Sequence, residues 1–174
     1  MSESQERSPH AQLIDKLAHS FYQVVPEQYR TYCSLTSAII EQVLTHFGVP
    51  CKRVPCQIWY TKPDHIYVIG FLGKSEPGKW DGHVVCCADG ILIDAAVHHF
   101  AREFGLQVPW VITTPMFAFP TPALAQMNIN STDAIWWQPP PTGLISSSPV
   151  EPQELVGKYV DTLIQELSQS HGLN

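Results

Sequence analysis

The segment of residues 34–48, SLTSAIIEQVLTHFG, constrains the fold most, because its pattern predicts a helix that is buried along one face. The apolar residues of that face recur at three- and four-residue steps: Leu35, Ala38, Ile39, Val43, Leu44 and Phe47. Gly48 followed by Pro50 is a typical helix end. Cys33 therefore lies at the first turn of a helix that other elements must cover.

Two further helices and a series of strands complete the pattern. The stretch from Ala11 to Val25 has apolar residues at helical spacing and ends at Pro26, and residues 152–170 repeat this pattern near the C-terminus. Between them, apolar alternation or short apolar runs predict strands in four segments: 52–60, 65–73, 83–97 and 108–114. This order predicts an α+β fold in which N-terminal helices pack on an antiparallel β-sheet with a C-terminal helix.

The chain length predicts a single domain over residues 1–174, because 174 residues are enough to bury one hydrophobic core. We expect the polar residues 1–8 to be disordered. We expect residues 115–151 to form a Pro-rich loop region, interrupted by a short strand around AIWWQ at 134–138. Pro55, inside the first strand segment, predicts an edge strand or an irregularity.

Charge and composition argue against several classes of function. The net charge of −6 and the pI of about 5.7 argue against binding to nucleic acid or an anionic membrane through phosphate attraction. The N-terminus lacks the basic start and apolar run of a signal peptide, and no stretch of roughly 18 apolar residues predicts a membrane span. We therefore expect a cytoplasmic protein whose five cysteines are free thiols.

Cys33 is the best-placed candidate nucleophile, because it lies at the predicted start of a helix. A helix N-terminus carries partial positive charge and unpaired backbone N–H groups, which stabilise a thiolate and can hold the oxyanion of a tetrahedral intermediate. Such a thiol also needs a histidine to take its proton and a carboxylate or amide to fix the histidine tautomer. His83 is the predicted partner, because it begins an apolar strand directly after a polar loop that ends at Gly82.

The Asp89-Gly90 pair predicts a tight hairpin that brings Asp94 to His83. With this turn at the centre, Asp94 pairs nearest to Val85 and lies about two residues along the strand from His83. Alternate residues of a strand share a face, so both side chains project from the same face of the sheet. We therefore expect Asp94 to orient the His83 ring, provided that no one-residue bulge shifts the register.

These segments resemble the core of the transglutaminase-like superfamily. The stretch CSLTSAIIEQVLTHFGVPCKRV resembles the family's helix, with its opening cysteine, its Gly-hydrophobic-Pro end and its first strand. The stretch HVVCCADGILIDAA resembles the family's histidine strand, turn and aspartate strand. The resemblance spans residues 31–97 and implies a papain-like fold, with Cys33 as nucleophile, His83 as general base and acid, and Asp94 as orienting residue. Arylamine N-acetyltransferases share this core.

The resemblance implies a cysteine-dependent acyl-transfer enzyme. In this hypothesis Cys33 attacks an amide or ester carbonyl, and water or an amine resolves the thioester, which gives a protease, amidase, deamidase or transamidase. The expected substrate is a protein, a peptide or a small amide, and no cofactor or metal is expected. Two alternatives stay open: a catalytically inactive binding or regulatory module of the same fold, and an acetyltransferase that uses an acyl-coenzyme A donor. The sequence leaves the substrate and the oligomeric state open.

The remaining cysteines, histidines and tryptophans have structural interpretations. Cys56, Cys86 and Cys87 lie in strand patterns and are expected to be core or sheet-face residues. The Cys51/Cys56 spacing and the adjacent Cys86-Cys87 pair do not favour a zinc site. Two adjacent pairs allow more than one role: His98-His99 as a strand or helix end or as substrate-binding residues near Asp94, and Trp136-Trp137 as loop packing or as a peptide-binding ridge, with packing favoured. A second oxyanion donor has three candidates: Gln28, Gln57 and Trp80.

Overall fold

The computed structural model describes residues 9–74, 76–118 and 121–171, and the stretch 1–8, expected to be disordered, lies outside these ranges. Within them the helices are α1 (Pro9–Val24), α2 (Cys33–His46), α3 (His98–Phe104) and α4 (Gln153–His171), with a 3₁₀ helix at Glu27–Tyr29. The strands are β1 (Cys51–Pro55), β2 (Gln57–Lys62), β3 (His65–Ile69), β4 (Val84–Ala88), β5 (Ile91–Asp94), β6 (Ile112–Pro115), β7 (Ala125–Asn128) and β8 (Ala134–Gln138). None of the described helices combines the length and the apolar character needed to cross a lipid bilayer.

The fold is α+β with antiparallel sheets and a C-terminal helix, as the sequence predicts, but it contains two sheets where one was expected. The first sheet has the strand order β1-β4-β5-β6 and the second has the order β3-β2-β8-β7. The chain passes from the first sheet to the second between Pro55 and Gln57. The predicted single segment 52–60 is therefore two strands, because the chain turns from one sheet into the other at the irregularity that Pro55 marks.

The first sheet lies between the helices and the second sheet. One hydrophobic cluster joins α1, α2 and α4 to one face of the first sheet, at Cys86, Ala88 and Ile93. A second cluster joins the other face, at Val85 and Leu92, to residues of the second sheet. Because both faces are covered, β4 and β5 show nearly continuous apolar runs in the sequence rather than strict alternation.

Helix α2 ends as its sequence predicts. Gly48 adopts a left-handed φ of +74°, and the N–H of Val49 donates to the carbonyl of Leu44, which satisfies a free carbonyl of the last turn. Every residue from Cys33 to Ile40 is buried, so α2 is covered more completely than a one-face pattern predicts. The first sheet lies on one side of α2 and α4 packs on another.

The hairpin register is confirmed. Ala88 lies opposite Ile91 and Cys86 lies opposite Ile93, which centres the hairpin on the Asp89-Gly90 turn. Asp89 and Gly90 have φ values of +50° and +73°, as the two central residues of a type I′ turn require. No bulge interrupts the described pairs, so alternate residues from the two strands share a face as expected.

Two elements depart from the predicted pattern. The region 115–151 contains β7 as well as the expected strand β8, and most of its described residues lie in neither helix nor strand. His98 begins the short helix α3, which ends at Gly105 in the left-handed conformation. The rest of the Pro-rich region, residues 139–152, contains neither helix nor strand and joins β8 to α4. We refer to it as the β8–α4 segment.

Candidate active site

His83 and Asp94 form a buried ion pair at the end of the first sheet. His83 is 2% exposed and Asp94 is 1% exposed, and the His83 Nε2 lies 2.8 Å from the Asp94 Oδ2. His83 directly precedes β4, and its carbonyl accepts a hydrogen bond from the N–H of Cys56 at 2.9 Å, which continues the ladder with β1. Asp94 is the last residue of β5. The hairpin thus brings together the two side chains whose proximity the sequence predicts.

Asp94 is held as a carboxylate by three donors. Besides His83, the indole Nε1 of Trp137 donates to Oδ2 at 2.9 Å, and the backbone N–H of Ala96 donates to Oδ1 at 3.0 Å. Burial alone would raise the pKa of Asp94, but the charge of His83 and these hydrogen bonds outweigh burial and lower the pKa below its usual value. The group therefore stays ionised although it is buried.

The surroundings of His83 favour its protonated form. Burial alone would lower the pKa of His83, but the negative charges of Asp94 and Cys33, and its hydrogen bonds with both, raise the pKa to about 10. Because a carboxylate can only accept, a neutral His83 ring carries its proton on Nε2. Nδ1 is then the nitrogen that is available as a base.

Cys33 is the first residue of α2 and lies beside this pair. It is 8% exposed, and its Sγ lies 3.9 Å from the carbonyl oxygen of Gly82, the residue before His83. No side chain caps the helix at Tyr32, and the first helical bond runs from Thr36 N–H to the Tyr32 carbonyl. The N–H groups of the first turn therefore have no helical acceptor and point toward the Cys33 end.

Trp80 and the β8–α4 segment cover Cys33. Trp80 packs against the small cluster of Cys33, Val84 and Ala96, and its indole Nε1 donates to the Ser146 hydroxyl at 2.8 Å. Farther along the segment, a Glu151 carboxylate oxygen accepts a hydrogen bond from the hydroxyl of Ser34, the residue after Cys33. The segment is thus attached to Trp80, which packs against Cys33, and to Ser34, which follows Cys33 in the chain.

A glycine is required beneath the Trp80 ring. A Cβ atom added to Gly82 would lie 2.3 Å from the nearest ring atom of Trp80, so no other residue fits there without moving the ring. A cavity of about 500 Å³ lies beside this cover. Trp80 and Val84, which contact Cys33, also line the cavity, together with Arg53, Pro55, Ile145 and three consecutive serines, 146–148.

The candidate oxyanion donors are already engaged or lie outside the site. The Gln57 amide donates to the carbonyls of Gly70 and Phe71, at 3.1 and 3.2 Å. The Trp80 indole donates to Ser146, and Gln28 lies in the 3₁₀ helix with an exposed side chain. Neither Gln57 nor Trp80 is free to act, because each donates to another partner. The backbone N–H groups at the start of α2 are the available donors in this part of the chain.

The remaining sequence candidates lie at the edge of the site or away from it. His99 contacts Arg102 and Glu103, and burial together with the nearby His83 charge lowers its pKa. His98 is exposed at the start of α3. All five cysteines are free thiols, and the described residues contain no group of three or more potential ligands placed to hold a metal ion.

Trp137 is the site residue that the sequence did not reveal. It is fully buried, packs in the cluster between the two sheets and donates to Asp94, so its role is more than loop packing. Trp136, its neighbour on β8, points to the other face and donates to the Thr61 hydroxyl at 3.2 Å. Strand alternation predicts that the Trp136 and Trp137 rings point to opposite faces of the sheet. No sequence signal, however, places β8 next to Asp94.

Comparison with known proteins gives little further information. No protein-family model matches the chain, and no curated protein matches it. A solved structure described as the crystal structure of genomics APC5867 is similar, with 15% identity, over 92% of this chain and 75% of that chain, at a TM-score of 0.36. A TM-score of this size does not establish a shared fold, so any functional conclusion depends on the chemistry of the site.

Proposed function

We propose that this chain has a papain-like, transglutaminase-like architecture and is a cysteine-dependent acyl-transfer enzyme, an amide hydrolase or a transamidase. The observation that supports this most is the buried His83–Asp94 pair, 2.8 Å apart, beside a cysteine that begins a buried helix. A purely structural ion pair needs neither a thiol partner nor a helix start next to it. The three features together match the requirements of an activated thiol nucleophile.

The proposed reaction assigns one task to each residue. In the reactive pair the thiol proton of Cys33 already lies on Nδ1 of His83, and the Cys33 thiolate Sγ forms a bond to the carbonyl carbon of an amide or ester as the carbonyl π electrons move to its oxygen. The oxyanion of the tetrahedral intermediate is stabilised by the N–H groups at the start of α2. His83 then returns the proton to the leaving amine or alcohol as the carbon–heteroatom bond breaks, which leaves a thioester. Water or an amine attacks this thioester with His83 as base, and the thiol is regenerated.

The test uses p-nitrophenyl acetate, a small activated ester that needs no substrate-specific pocket. We expect acetylation of Cys33, detected by peptide mass spectrometry, with release of p-nitrophenol. The rate should fall by about a hundredfold in His83→Ala, because general base catalysis contributes on that order. Cys33→Ala removes the adduct, and Cys87→Ala, at a half-buried thiol in β4, is the matched control. Equal rates in the wild type and in His83→Ala would refute the proposal.

Burial of Cys33 also supports a second candidate, an inactive binding or regulatory module of the same architecture. Cys33 is only 8% exposed, which a protein without a substrate for this thiol would tolerate. The two candidates differ in one measurement. A module gives no Cys33 adduct even in Ser146→Ala, where the hydrogen bond that holds the Trp80 cover is removed. Acetyl transfer from acetyl-coenzyme A to a small amine, assayed in parallel, separates an acetyltransferase from both.

A further inference from the structure

The outer edge of β1 has backbone groups without a partner. β1 lies at one end of the first sheet, and β4 is the strand that pairs with it. The N–H of Cys56 donates to the His83 carbonyl, so by antiparallel alternation the N–H and C=O groups of Arg53 point away from β4. Neither of these groups has a hydrogen-bond partner within residues 9–74, 76–118 and 121–171. β1 is therefore an open sheet edge at Arg53.

Pro55 limits how far another chain can pair with this edge. It has the same orientation as Arg53, and proline has no N–H to donate, so at this position the edge offers a carbonyl alone. The Arg53 guanidinium is engaged by α2, with its Nε 3.0 Å from a Glu41 carboxylate oxygen. Proline and charged side chains at an edge oppose pairing with a long strand. The edge therefore favours a short extended segment over the strand of another sheet.

The cavity beside Trp80 lies along this edge. Arg53 and Pro55 are the residues of β1 that line it, and residues 145–148 of the β8–α4 segment form another wall. In the described part of the chain, no backbone hydrogen bond joins β1 to residues 145–148, so the segment leaves the edge unpaired. The cavity volume of about 500 Å³ falls within the roughly 300–1,000 Å³ that is usual for ligand sites. The space beside β1 can therefore hold a short extended chain.

The same cavity reaches the candidate nucleophile. Trp80 and Val84 line it, and both pack in the cluster that contains Cys33. Val84 lies directly opposite Pro55 in the sheet register. Each residue of a strand spans about 3.3 Å, so a chain that lies along β1 at Arg53 comes to the covered thiol within a few residues of Pro55.

We propose that the outer edge of β1 binds an extended peptide, whose backbone pairs with that of Arg53 and which places a side chain or its own end at Cys33. The substrate is then a polypeptide segment rather than a small amide, an assignment that rests on the proposed acyl transfer. Backbone hydrogen bonds to a sheet edge supply affinity, and pockets beside the edge receive alternate side chains. In either direction of pairing, only alternate residues of the peptide turn their backbone groups toward β1.

The test is a titration of the wild-type protein with the uncharged, β-prone peptide acetyl-Thr-Val-Thr-Val-Thr-amide, followed by backbone ¹H–¹⁵N resonances. We expect a saturable downfield shift of the Arg53 N–H with a dissociation constant of about 1 mM or tighter, and the same constant from the Val84 signal. The N–H of Val54 already faces β4 and should shift less. A linear Arg53 response up to about 10 mM peptide, or equal responses along β3, an edge of the second sheet, overturns the proposal.

N-methylated peptides test the strand pairing itself. One peptide is methylated at its second and fourth residues, and the other at its first, third and fifth. A methyl group removes the N–H and blocks close approach, and only alternate residues face β1. One of the two peptides should therefore lose its binding, while the other keeps an affinity within a few-fold of the parent. Loss in both peptides, or in neither, would exclude strand addition.

A variant tests the edge from the side of the protein. Arg53→Pro removes the outward donor, so peptide affinity should fall severalfold below that of Arg53→Gln, which lacks the same ion pair with Glu41 but keeps the N–H. Equal affinities in the two variants would contradict the pairing. If Arg53→Pro does not fold, the methylated peptides decide the question alone.

Peptide binding is measured without a reactive thiol, so the two proposals fail separately. Binding without acetylation of Cys33 by p-nitrophenyl acetate would refute acyl transfer and keep the β1 edge as a peptide-binding surface. Acetylation without peptide binding would refute the β1 edge and leave a small amide as the substrate.

Discussion

At the scale of single residues, Asp94 is the group on which the site depends. Its two oxygens accept hydrogen bonds from His83, Trp137 and the backbone of Ala96, which lie before β4, in β8 and just after β5. A buried carboxylate with all these donors is stable, but the loss of one donor leaves a charge without compensation. Stability and ring orientation therefore depend on the same contacts.

Trp137→Phe tests this coupling. The change removes the indole N–H that donates to Asp94 and keeps most of the aromatic volume, so we expect the free energy of unfolding in urea to fall by about 1–3 kcal/mol. Trp136→Phe removes an indole N–H from a half-buried contact with Thr61 and should cost less. Acetylation of Cys33 should also slow in Trp137→Phe. Equal losses of stability in the two variants would contradict the role of Asp94.

The stability of the protein should also depend on pH through His83. Burial opposes protonation of His83, but Asp94 and Cys33 raise its pKa from about 6.5 in the unfolded chain to about 10 in the folded one. The folded state therefore binds this proton more tightly, and the resulting stabilisation is complete below pH 6.5 and is lost as the pH rises to 10. We expect the free energy of unfolding of the wild type to fall across this interval relative to that of His83→Gln, by about 1.4 kcal/mol for each pH unit. Parallel curves for the two proteins would rule this out.

At the scale of elements, β1 shows why proline is accepted at the edge of the first sheet. The N–H of Cys56 donates to the His83 carbonyl, so by antiparallel alternation the N–H groups of Val54 and Lys52 point toward β4. The backbone N–H and C=O groups of Arg53 point away from the sheet. Pro55 has the same orientation, so the N–H that proline lacks would not have donated to β4. Adjacent residues of this strand therefore differ in what they contribute to the ladder.

Proline substitutions should reveal this alternation. Lys52→Pro removes a donor to β4 and should lower the free energy of unfolding by about 3 kcal/mol, whereas Arg53→Pro removes a donor that faces outward and should cost much less. Neither residue is buried, so apart from the ion pair of Arg53 the two substitutions differ mainly in the ladder bond. Arg53→Gln corrects for the loss of the 3.0 Å pair with Glu41, whose partners are about one-third exposed. Similar losses for the two proline variants would show that the register is wrong.

At the scale of the whole molecule, the site is assembled from distant parts of the chain. Cys33 comes from α2, His83 and Asp94 from the hairpin, Trp137 from the second sheet, and the cover from Trp80 and the β8–α4 segment. The residues that orient the ring are buried between layers, whereas the cover is attached through one exposed hydrogen bond, Trp80 to Ser146, and one partly buried hydrogen bond, Ser34 to Glu151. Opening the site therefore requires the release of few contacts.

Release of the cover should expose Cys33. We expect the double variant Ser146→Ala, Glu151→Gln to increase the rate of Cys33 alkylation by iodoacetamide severalfold, because both attachments of the β8–α4 segment beside Cys33 are weakened. Mass spectrometry of individual peptides gives the rate for each cysteine, and Cys87 serves as an internal reference. Equal increases at Cys33 and Cys87 would indicate general loosening of the fold instead.

The sequence was sufficient for the parts of the site that depend on local periodicity. The helix start at Cys33 and the Asp89-Gly90 hairpin follow from spacing over short distances, so the His83–Asp94 contact could be predicted. The second sheet, the donor from Trp137 and the cover could not, because they depend on which strands pair and where a Pro-rich segment lies. Packing between the layers determines both the strand pairing and the position of the Pro-rich segment. A single sequence contains no periodic signal for such packing.

The β8–α4 segment is tied at both ends, to β8 at Gln138 and to α4 at Gln153. Because both ends are fixed, the middle of the segment, where Ser146 contacts Trp80, can move away from the protein surface. The segment cannot rotate aside about a single hinge. This displacement opens an entrance to Cys33, and the width of the entrance is limited by how far residues 139–152 can extend. We expect such an entrance to select by cross-section, admitting one side chain or a chain end and excluding a folded surface before any chemistry takes place.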